Sequence, residues 1–410
     1  MPQNHKALYL INELRKYSDT AVGTTRLSYS DNFLAARDFL RDFMKSAGMT
    51  VHVDALGNLI GTYEGLEPEL PAVWSGSHLD SVPSGGAYDG VLGIVLPLAC
   101  IAAWHEQGYR PRHSVSIIAF VEEEGTLFSM PCIASQVLCG EFADKKAAEL
   151  LDSKTGQTLN DYLLQAGLNT EPFTQARLDL TRIKCFLEAH IEQGEELDLA
   201  GLGVGIVSSI VGIDRYELRI TGQANHAGTT RMSSRRDAMV AAAYLTLRMN
   251  EAALASQGEF VATVGRITLS PNAVNVVPGA ATVYVETRAA NEQILNEAKS
   301  VLYKTLEAIK KLYAVECQIV AVNKIAPVQL NKMIMDVFAE AAEEIGLAYK
   351  VLPSWAGHDA KVFAEYVPTG MLFVPSVLGI SHAPEEYTAD KDINSAYAVL
   401  DKALRSLADE

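Results

Sequence analysis

Four of the nine histidines stand in segments whose neighbours could take part in chemistry. These segments read SHLD around His78, EAHIEQG around His190, NHAGTT around His226 and GISHAP around His382. Widely spaced imidazole ligands are typical of hydrolytic Zn, Mn or Co sites, whereas structural zinc sites use paired cysteines. Because the sequence has no Cys-x-x-Cys pair, these residues favour a hydrolytic metal site.

The carboxylates that could complete such a site are Asp80, Asp89 and the run Glu122–Glu124. The glutamate run ends an apolar segment and has no basic neighbour, so a cation would relieve the repulsion between its charges. Taken singly, Asp89-Gly90 is typical of a turn, and three glutamates are typical of a solvated loop. The combination of segments therefore carries the metal-site hypothesis.

The elements that must position these residues alternate between strand and helix. The apolar run Ala72–Ser75 leads into the SHLD segment, and Ser114–Val121 leads into the glutamate run. The buried helix Val91–Trp104 lies between them, which predicts an α/β fold whose mixed, largely parallel sheet is flanked by helices. Because sites in such sheets form at the carboxyl ends of the strands, we expect these segments to converge.

A second domain is predicted where the pattern changes, near residues 205–215. A strand there is followed by a helix at 236–250, strands at 260–269 and 280–287, a helix at 292–312 and a strand at 316–322. This order is the ferredoxin-like split pattern. We therefore predict an inserted α+β domain at 212–325 within a discontinuous catalytic domain at 1–211 and 326–410.

Composition excludes several classes of protein. The 410 residues are 49% hydrophobic and 20% charged, which is globular composition with enough chain for two or three domains. The net charge of −16 opposes binding to nucleic acid. The most apolar run, Val91–Trp104, is too short to span a bilayer. Five unpaired cysteines and no visible signal peptide predict a cytoplasmic protein with no membrane partner.

Seven segments in chain order resemble the amidase/hydantoinase/carbamoylase family: SGSHLDSVPSGGAYDG, AFVEEEG, EAHIEQG, NHAGTT, NAVNVVPG, AGHDA and GISHAP. This family includes N-carbamoyl-L-amino acid hydrolases, β-ureidopropionases and allantoate amidohydrolases. It belongs to the di-metal aminoacylase and carboxypeptidase superfamily. The resemblance covers roughly residues 25–405.

The resemblance implies a site for two divalent metal ions in each subunit. Zinc is favoured, with manganese, cobalt or nickel as alternatives. Asp89 would bridge the ions, and two further residues would complete the ligand set of each ion. The five implied ligands are His78 and His190 on one ion, Glu124 and His382 on the other, and Asp89 between them.

The resemblance also implies three catalytic roles. Glu123 would be the general base, and Asp80 would orient the ring of His78. The run EEEG leaves the register of the glutamates open, and the family places the ligand directly before the glycine, which selects Glu124 as ligand. His226 would stabilise the oxyanion in the active site of a partner subunit, which implies a homodimer formed through the inserted domain.

Four further residues are implied to bind substrate. Arg288 would grip a substrate carboxylate beside Asn275, and Gln193 would contact the ureido group. His358 would either line the pocket or support a ligand from behind. From the residues alone, Arg288 is an ordinary solvated arginine at a strand end and Asn275 is a turn residue.

The implied reaction is hydrolysis of an N-carbamoyl-L-amino acid, or a related ureido acid, to the amino acid, CO2 and ammonia. The alternatives are an allantoate amidohydrolase, or a dipeptidase or aminoacylase of the same superfamily. A binding protein without catalysis is disfavoured because every ligand position and Glu123 are filled. Three departures from the family pattern concern the substrate and not the metal set. Arg231 would loosen the loop that carries His226 or add a charge to it, and the bulky indole of Trp355 would reshape the pocket. Glu286, which stands where the family usually has Asp, is a mild change.

Overall fold

The computed structural model describes residues 5–142, 149–168 and 173–410. Two units pack around separate cores: unit 1 is Met1–Ser208, Leu330–Leu352 and Ala356–Glu410, and unit 2 is Ser209–Gln329 with Pro353–Trp355. The short segment 353–355 belongs to unit 2 because Ser354 accepts a backbone hydrogen bond from Val211. Unit 2 therefore begins and ends within four residues of the predicted insertion at 212–325 but also takes in a segment far along the chain.

The elements are numbered in chain order. The strands are β1 (Thr50–Val53), β2 (Leu59–Tyr63), β3 (Ala72–His78), β4 (Val115–Phe120), β5 (Ile183–Ile191), β6 (Val204–Ile210), β7 (Gly212–Thr221), β8 (Asn225–His226), β9 (Phe260–Ser270), β10 (Val276–Val277), β11 (Ala280–Ala289), β12 (Glu316–Ile325), β13 (Val328–Gln329), β14 (Tyr349–Ser354) and β15 (Thr369–Val374). The α-helices are α1 (His5–Leu14), α2 (Asp31–Ser46), α3 (Val91–Gln107), α4 (Ile133–Cys139), α5 (Leu159–Gln165), α6 (Glu196–Ala200), α7 (Ala238–Ala255), α8 (Glu292–Tyr313), α9 (Lys332–Glu344), α10 (Asp359–Phe363) and α11 (Asp390–Asp409).

The sheet of unit 1 runs in the order β1-β2-β4-β3-β5-β15-β6. Strand β3 is parallel to both β4 and β5, and β15 is parallel to β5. The hairpin β1–β2 and the pairs β2–β4 and β6–β15 are antiparallel. The predicted fold class, a mixed and largely parallel sheet flanked by helices, is confirmed.

Helix α3 is apolar on every side, and all its residues from Val91 to Trp104 are buried. It packs against β3, β4 and β5 on one side and against α1 and α11 on the other. A helix between a sheet and other helices has no solvent-facing side, which explains its lack of polar residues. Within the described part of the chain, no helix combines the length and apolarity needed to cross a bilayer.

The sequence analysis did not predict β5, the central parallel strand that carries His190. Its sequence IKCFLEAHI is buried at nearly every position, yet it contains Glu188 and His190. Two buried polar residues interrupt the apolar run that marks a central strand. The polar residues that this strand contributes to the site therefore also hide its pattern in the sequence.

Unit 2 contains a four-stranded antiparallel sheet in the order β12-β7-β11-β9. Helix α7 connects β7 to β9, and α8 connects β11 to β12, which gives the ferredoxin-like order. In β7 and β11 every second residue is buried against the core that the two helices share, including Tyr216, Leu218 and Val283. The alternate residues of both strands, which include Arg215, Glu286 and Arg288, lie on the other face of the sheet.

Candidate active site

Three histidines of unit 1 converge on the buried carboxylate of Asp89. The Nε2 atoms of His78 and His190 lie 3.4 Å and 3.2 Å from Asp89 Oδ1. His382 Nε2 lies 3.2 Å from the other oxygen, Oδ2. The structure thus brings together residues from three widely separated segments of the sequence.

Neighbouring parallel strands position two of these histidines. His78 is the last residue of β3 and His190 lies one residue before the end of β5, so both stand at the carboxyl edge of the sheet. Asp89 comes from the loop that enters α3, where Gly90 has a φ of +67°. A Cβ at Gly90 would lie 2.5 Å from the ring of His78, so the close approach requires glycine.

Backbone carbonyls fix the rings of His78 and His190. His78 Nδ1 lies 2.9 Å from the carbonyl oxygen of Asp80, and His190 Nδ1 lies 2.9 Å from that of Ile191. A neutral ring that donates its Nδ1 hydrogen there turns its Nε2 lone pair toward Asp89, as a metal ligand must, whereas a ring that also donates to Asp89 is protonated. Two nitrogen acceptors facing a carboxylate oxygen need a cation between them, and this donor set fits a divalent metal ion.

Asp89 belongs to two groups of potential metal ligands. One consists of His78, Asp89 and His190, and the other consists of Asp89, Glu124 and His382. In each group the ligand atoms lie within 4.8 Å of one another. A carboxylate shared between two ligand groups has one oxygen for each, which suits a bridge between two ions.

The three consecutive glutamates point in different directions. Glu124 Oε2 lies 3.5 Å from His382 Nε2, and Glu123 Oε2 lies 3.9 Å from His78 Nε2. Glu122 has a φ of +56° and accepts hydrogen bonds from the backbone amides of residues 127 and 128, at 2.8 Å and 3.2 Å. The left-handed turn at Glu122 thus directs its side chain away and leaves the next two glutamates at the site.

Asp80 makes two kinds of contact at the site. Its carbonyl accepts the hydrogen of His78, whereas its carboxylate accepts the backbone amides of Glu123 and Glu124, each at 3.3 Å. The carboxylate is 3.9 Å from His78 Nδ1, beyond hydrogen-bond distance. The ring of His78 is therefore oriented by the main chain of Asp80, and the side chain of Asp80 holds the glutamate loop.

Burial and close charges shift the pKa values of these groups. Burial raises the pKa of Glu123 well above its usual range, and burial also raises the pKa of Glu124 to about 7. Although burial opposes ionisation of Asp89, hydrogen bonds from the three histidines hold its pKa well below the usual value. The hydrogen bond to Asp89 raises the pKa of His382 to about 9.

Two of the residues implied to bind substrate lie beside this cluster. Gln193 Nε2 donates to Asp89 Oδ2 at 3.0 Å and lies 3.4 Å from His382 Nε2. The ring of His358 is buried and packs edge-on against that of His190, with 4.5 Å between the ring centroids. His358 thus contacts His190 directly.

Two residues that support Asp89, namely Glu386 and Ser381, were not predicted from the sequence. Glu386 is buried and accepts hydrogen bonds from the backbone amides of Tyr88 and Asp89 at 3.0 Å and 3.1 Å. The hydroxyl of Ser381 lies 3.1 Å from both Asp89 and Glu386. The signal for Glu386 was available, because this acid follows His382 by four residues in GISHAPEE.

In unit 2, two backbone amides fix the ring of His226. The amides of Gly228 and Thr229 donate to His226 Nδ1 at 3.0 Å and 3.2 Å. The hydrogen of the neutral ring therefore lies on Nε2, which makes that atom a hydrogen-bond donor. Asn275 is joined to the same loop, since its carbonyl accepts the amide of Ala227 at 2.9 Å.

The loop that carries His226 is supported by Arg235. Its Nη2 donates to the carbonyl of Ala227 at 2.5 Å, and its Nε donates to that of Thr230 at 3.3 Å. Arg231 is the charge that the sequence predicts to affect this loop. Arg235, which lies four residues later, makes the contacts.

Arg288 is held by two acceptors within unit 2. Its Nε donates to Glu286 Oε1 and its Nη1 donates to the carbonyl of Trp355, each at 2.8 Å. Trp355 was expected to matter through its indole. In the structure its main chain makes the contact to Arg288.

Comparison with known proteins identifies the family. The model of peptidase family M20/M25/M40 matches residues 74–406. An N-carbamoyl-L-amino-acid amidohydrolase of Paenarthrobacter aurescens is 35% identical over 397 residues, which cover 97% of this chain and 96% of that protein. The allantoate amidohydrolase of Escherichia coli K12 is also 35% identical, over 394 residues that cover 95% of this chain and 94% of the relative.

A solved structure gives the same result. The amidase of the hydantoinase/carbamoylase family from Burkholderia multivorans is 31% identical, with a TM-score of 0.91 over 99% of this chain and 98% of that one. The family that the seven segments indicated is confirmed. The chain belongs to peptidase family M20/M25/M40 and, within it, to the hydantoinase/carbamoylase amidases, and it is a hydrolase of carbon–nitrogen bonds other than peptide bonds.

Proposed function

We propose that this protein hydrolyses the ureido C–N bond of an N-carbamoyl-L-amino acid, giving the amino acid, CO2 and ammonia. The observation that carries the proposal is the position of Asp89, whose two oxygens face separate groups of histidine and carboxylate ligands. A ureido carbon is a poor electrophile, so its hydrolysis needs an activated water and a stabilised oxyanion. The names of the relatives support this class of substrate.

In this proposal the site binds two divalent ions, with zinc favoured over manganese, cobalt or nickel. His78 and His190 would hold one ion, Glu124 and His382 would hold the other, and Asp89 would contact both. When bound, such ions act as Lewis acids toward water and toward a carbonyl oxygen.

The protein's own groups would move the proton. Glu123 is buried at the site and its Oε1 accepts a hydrogen bond from the Cys132 thiol at 3.2 Å. Because burial raises the pKa of Glu123, its carboxylate is basic enough to take a proton from the attacking water and acidic enough to return it to the leaving nitrogen.

The residues of unit 2 would recognise the substrate and the developing charge. His226 presents an Nε2 hydrogen, as an oxyanion donor must. Arg288 would bind the substrate carboxylate with Asn275 beside it, and Gln193 of unit 1 would contact the ureido group. These roles rest on the resemblance of the segments to the family.

We further propose a homodimer in which His226 of one subunit serves the active site of the other. An exposed apolar stripe on α7 supports association through unit 2: Val240, Leu247 and Leu254 recur every seven residues and are 44%, 61% and 74% exposed. Such a stripe is typical of a helix that packs against another helix.

A substrate panel tests the proposed reaction. Protein stripped of metal and reloaded with Zn, Mn or Co would be assayed for ammonia release with N-carbamoyl-L-amino acids, β-ureidopropionate and allantoate, and for cleavage of N-acetyl amino acids and dipeptides. Glu123→Gln with its metal retained is the matched control. We expect N-carbamoyl-L-amino acids to give the highest kcat/KM.

The alternatives give different results in the same panel. A preference for allantoate would change the proposed substrate but would still support hydrolysis of a ureido C–N bond. Cleavage of acyl amino acids or dipeptides without any ureido acid would contradict the proposal. Equal inertness of parent and Glu123→Gln on every compound would favour a binding protein.

A further inference from the structure

A carboxylate on the sheet of unit 2 links two arginines of neighbouring strands. Arg215 of β7 and Glu286 of β11 are directly opposite in the antiparallel register, and Arg288 lies two residues further along β11 on the same face. Glu286 Oε2 accepts from Arg215 Nε at 2.6 Å, and Glu286 Oε1 accepts from Arg288 Nε at 2.8 Å. Each oxygen of Glu286 is therefore used by a different guanidinium.

Among the described residues, these contacts leave other N–H donors of Arg288 for a ligand. A guanidinium has five N–H donors, of which Glu286 takes one and the carbonyl of Trp355 takes another. The remaining donors include both hydrogens of Nη2. Two fixed contacts remove much of the rotamer freedom of Arg288 before a ligand binds. The side chain therefore loses less conformational entropy when the carboxylate of the substrate binds.

The charge of Glu286 by itself would act against a substrate anion. Glu286 is only partly buried, with 26% of its side chain exposed, and its hydrogen bonds from the two arginines hold its pKa below the usual value although burial opposes this. A negative charge beside Arg288 weakens the attraction of a second carboxylate. Removal of Glu286 should therefore raise KM for the acid if Glu286 positions Arg288, and lower it if Glu286 only neutralises the charge of Arg288.

We propose that Glu286 is a positioning residue for substrate recognition, which holds the guanidinium of Arg288 in the orientation that receives the substrate carboxylate and is itself braced by Arg215. The inference rests on the proposed function, in which Arg288 binds that carboxylate. It assigns to Glu286 and Arg215 a role that appears in substrate affinity and not in the chemical step.

Steady-state kinetics on paired substrates test this role. An N-carbamoyl-L-amino acid and its carboxamide, which lacks the carboxylate, would be compared for parent, Glu286→Gln, Glu286→Ala, Arg215→Gln and the control Arg219→Gln. Arg219 lies on the same strand and the same face, four residues from Arg215. Thermal unfolding and metal content would be measured for each variant to confirm that the fold and the site are retained.

The expected result is a rise of KM for the acid of about tenfold in Glu286→Ala, as for loss of a hydrogen bond to a charged group. Glu286→Gln keeps one acceptor oxygen, so its KM should rise less, and Arg215→Gln should raise KM about threefold because the brace acts only through Glu286. In all three, kcat for the acid and kcat/KM for the carboxamide should stay within about twofold of the parent, and Arg219→Gln should match the parent in both.

Other outcomes overturn the inference in distinguishable ways. A fall of KM for the acid in Glu286→Gln would show that Glu286 merely neutralises Arg288, and no change would show that it is not involved. Equal losses with acid and carboxamide would show a structural role. A parent enzyme that cleaves no ureido acid, or that does not prefer the acid to the carboxamide, would overturn the proposed function and this inference together.

Discussion

Asp89 and His190 of unit 1 are 6% and 1% exposed, whereas His226 of unit 2 is exposed and Arg288 is only partly buried. In unit 1, buried ionisable groups face one another. Carbonyls of neighbouring residues fix the histidine rings, and the carboxylate of Glu386, distant in sequence, accepts the amide of Asp89. In unit 2, hydrogen bonds from nearby residues orient side chains that remain in contact with water. Burial makes the first arrangement dependent on a cation, while solvation leaves the second free to bind a ligand.

The comparison leads to a general expectation for variants. Changes in unit 1 should alter metal content or the chemical step strongly, because a buried charge left without its partner is costly. Changes in unit 2 should leave metal content intact and alter turnover or affinity by smaller factors. Four substitutions test this difference between the two units.

Asp89→Asn should have the largest effect. The amide keeps the size of the side chain but replaces one oxygen of the shared carboxylate and removes its charge. We expect a loss of at least about 10³-fold in kcat/KM and a loss of bound metal, measured by ammonia release and by elemental analysis of dialysed protein. Full metal content with high activity in this variant would contradict the role of Asp89 as a ligand shared by two ions.

Glu123→Gln should separate chemistry from metal binding within unit 1. Without a proton acceptor, kcat should fall about 10³-fold, within the range for general acid–base catalysis, while the metal content should stay at the parent value. The same two measurements apply, with the parent protein as control. Loss of metal together with activity would instead make Glu123 a part of the ligand set.

His226→Ala should lower kcat about 10²-fold with little change of KM or metal content, because an oxyanion donor acts in the transition state. Mixing this variant with Glu123→Gln gives heterodimers in which one of the two sites has both residues if His226 acts across the interface. Random mixing should then restore about a quarter of the parent activity. No gain in verified heterodimers would place His226 in the site of its own subunit.

Arg235→Gln should have the smallest effect of the four. Arg235 supports the carbonyls of the His226 loop, so its loss should lower kcat about fivefold, as for one hydrogen bond of ~1 kcal/mol. Arg231→Gln is the matched control and should leave kcat unchanged. An equal loss in both variants would indicate a general effect of charge on this loop.

The sequence predicted the α/β class and the α7 and α8 regions of unit 2, since these follow from local periodicity. It did not predict β5, because Glu188 and His190 interrupt the apolar run of that strand. Without the family resemblance, the sequence also does not show which of the residues Glu122–Glu124 is the metal ligand and which is the general base. The left-handed conformation of Glu122 directs its side chain away from those of Glu123 and Glu124. Three identical residues in a row give no indication of which one adopts that conformation.

Residue types and their order along the chain thus determined the chemistry that this protein can perform: histidines and carboxylates for a divalent ion, with an acid beside them for proton transfer. The atoms that support them are set by how the chain folds. The bond from the Asp89 amide to Glu386 almost 300 residues away, the contact of the Ser381 hydroxyl with Asp89, and the cross-strand link from Arg215 to Glu286 all depend on distant segments meeting. Such contacts follow from packing and strand register, which local sequence patterns do not encode.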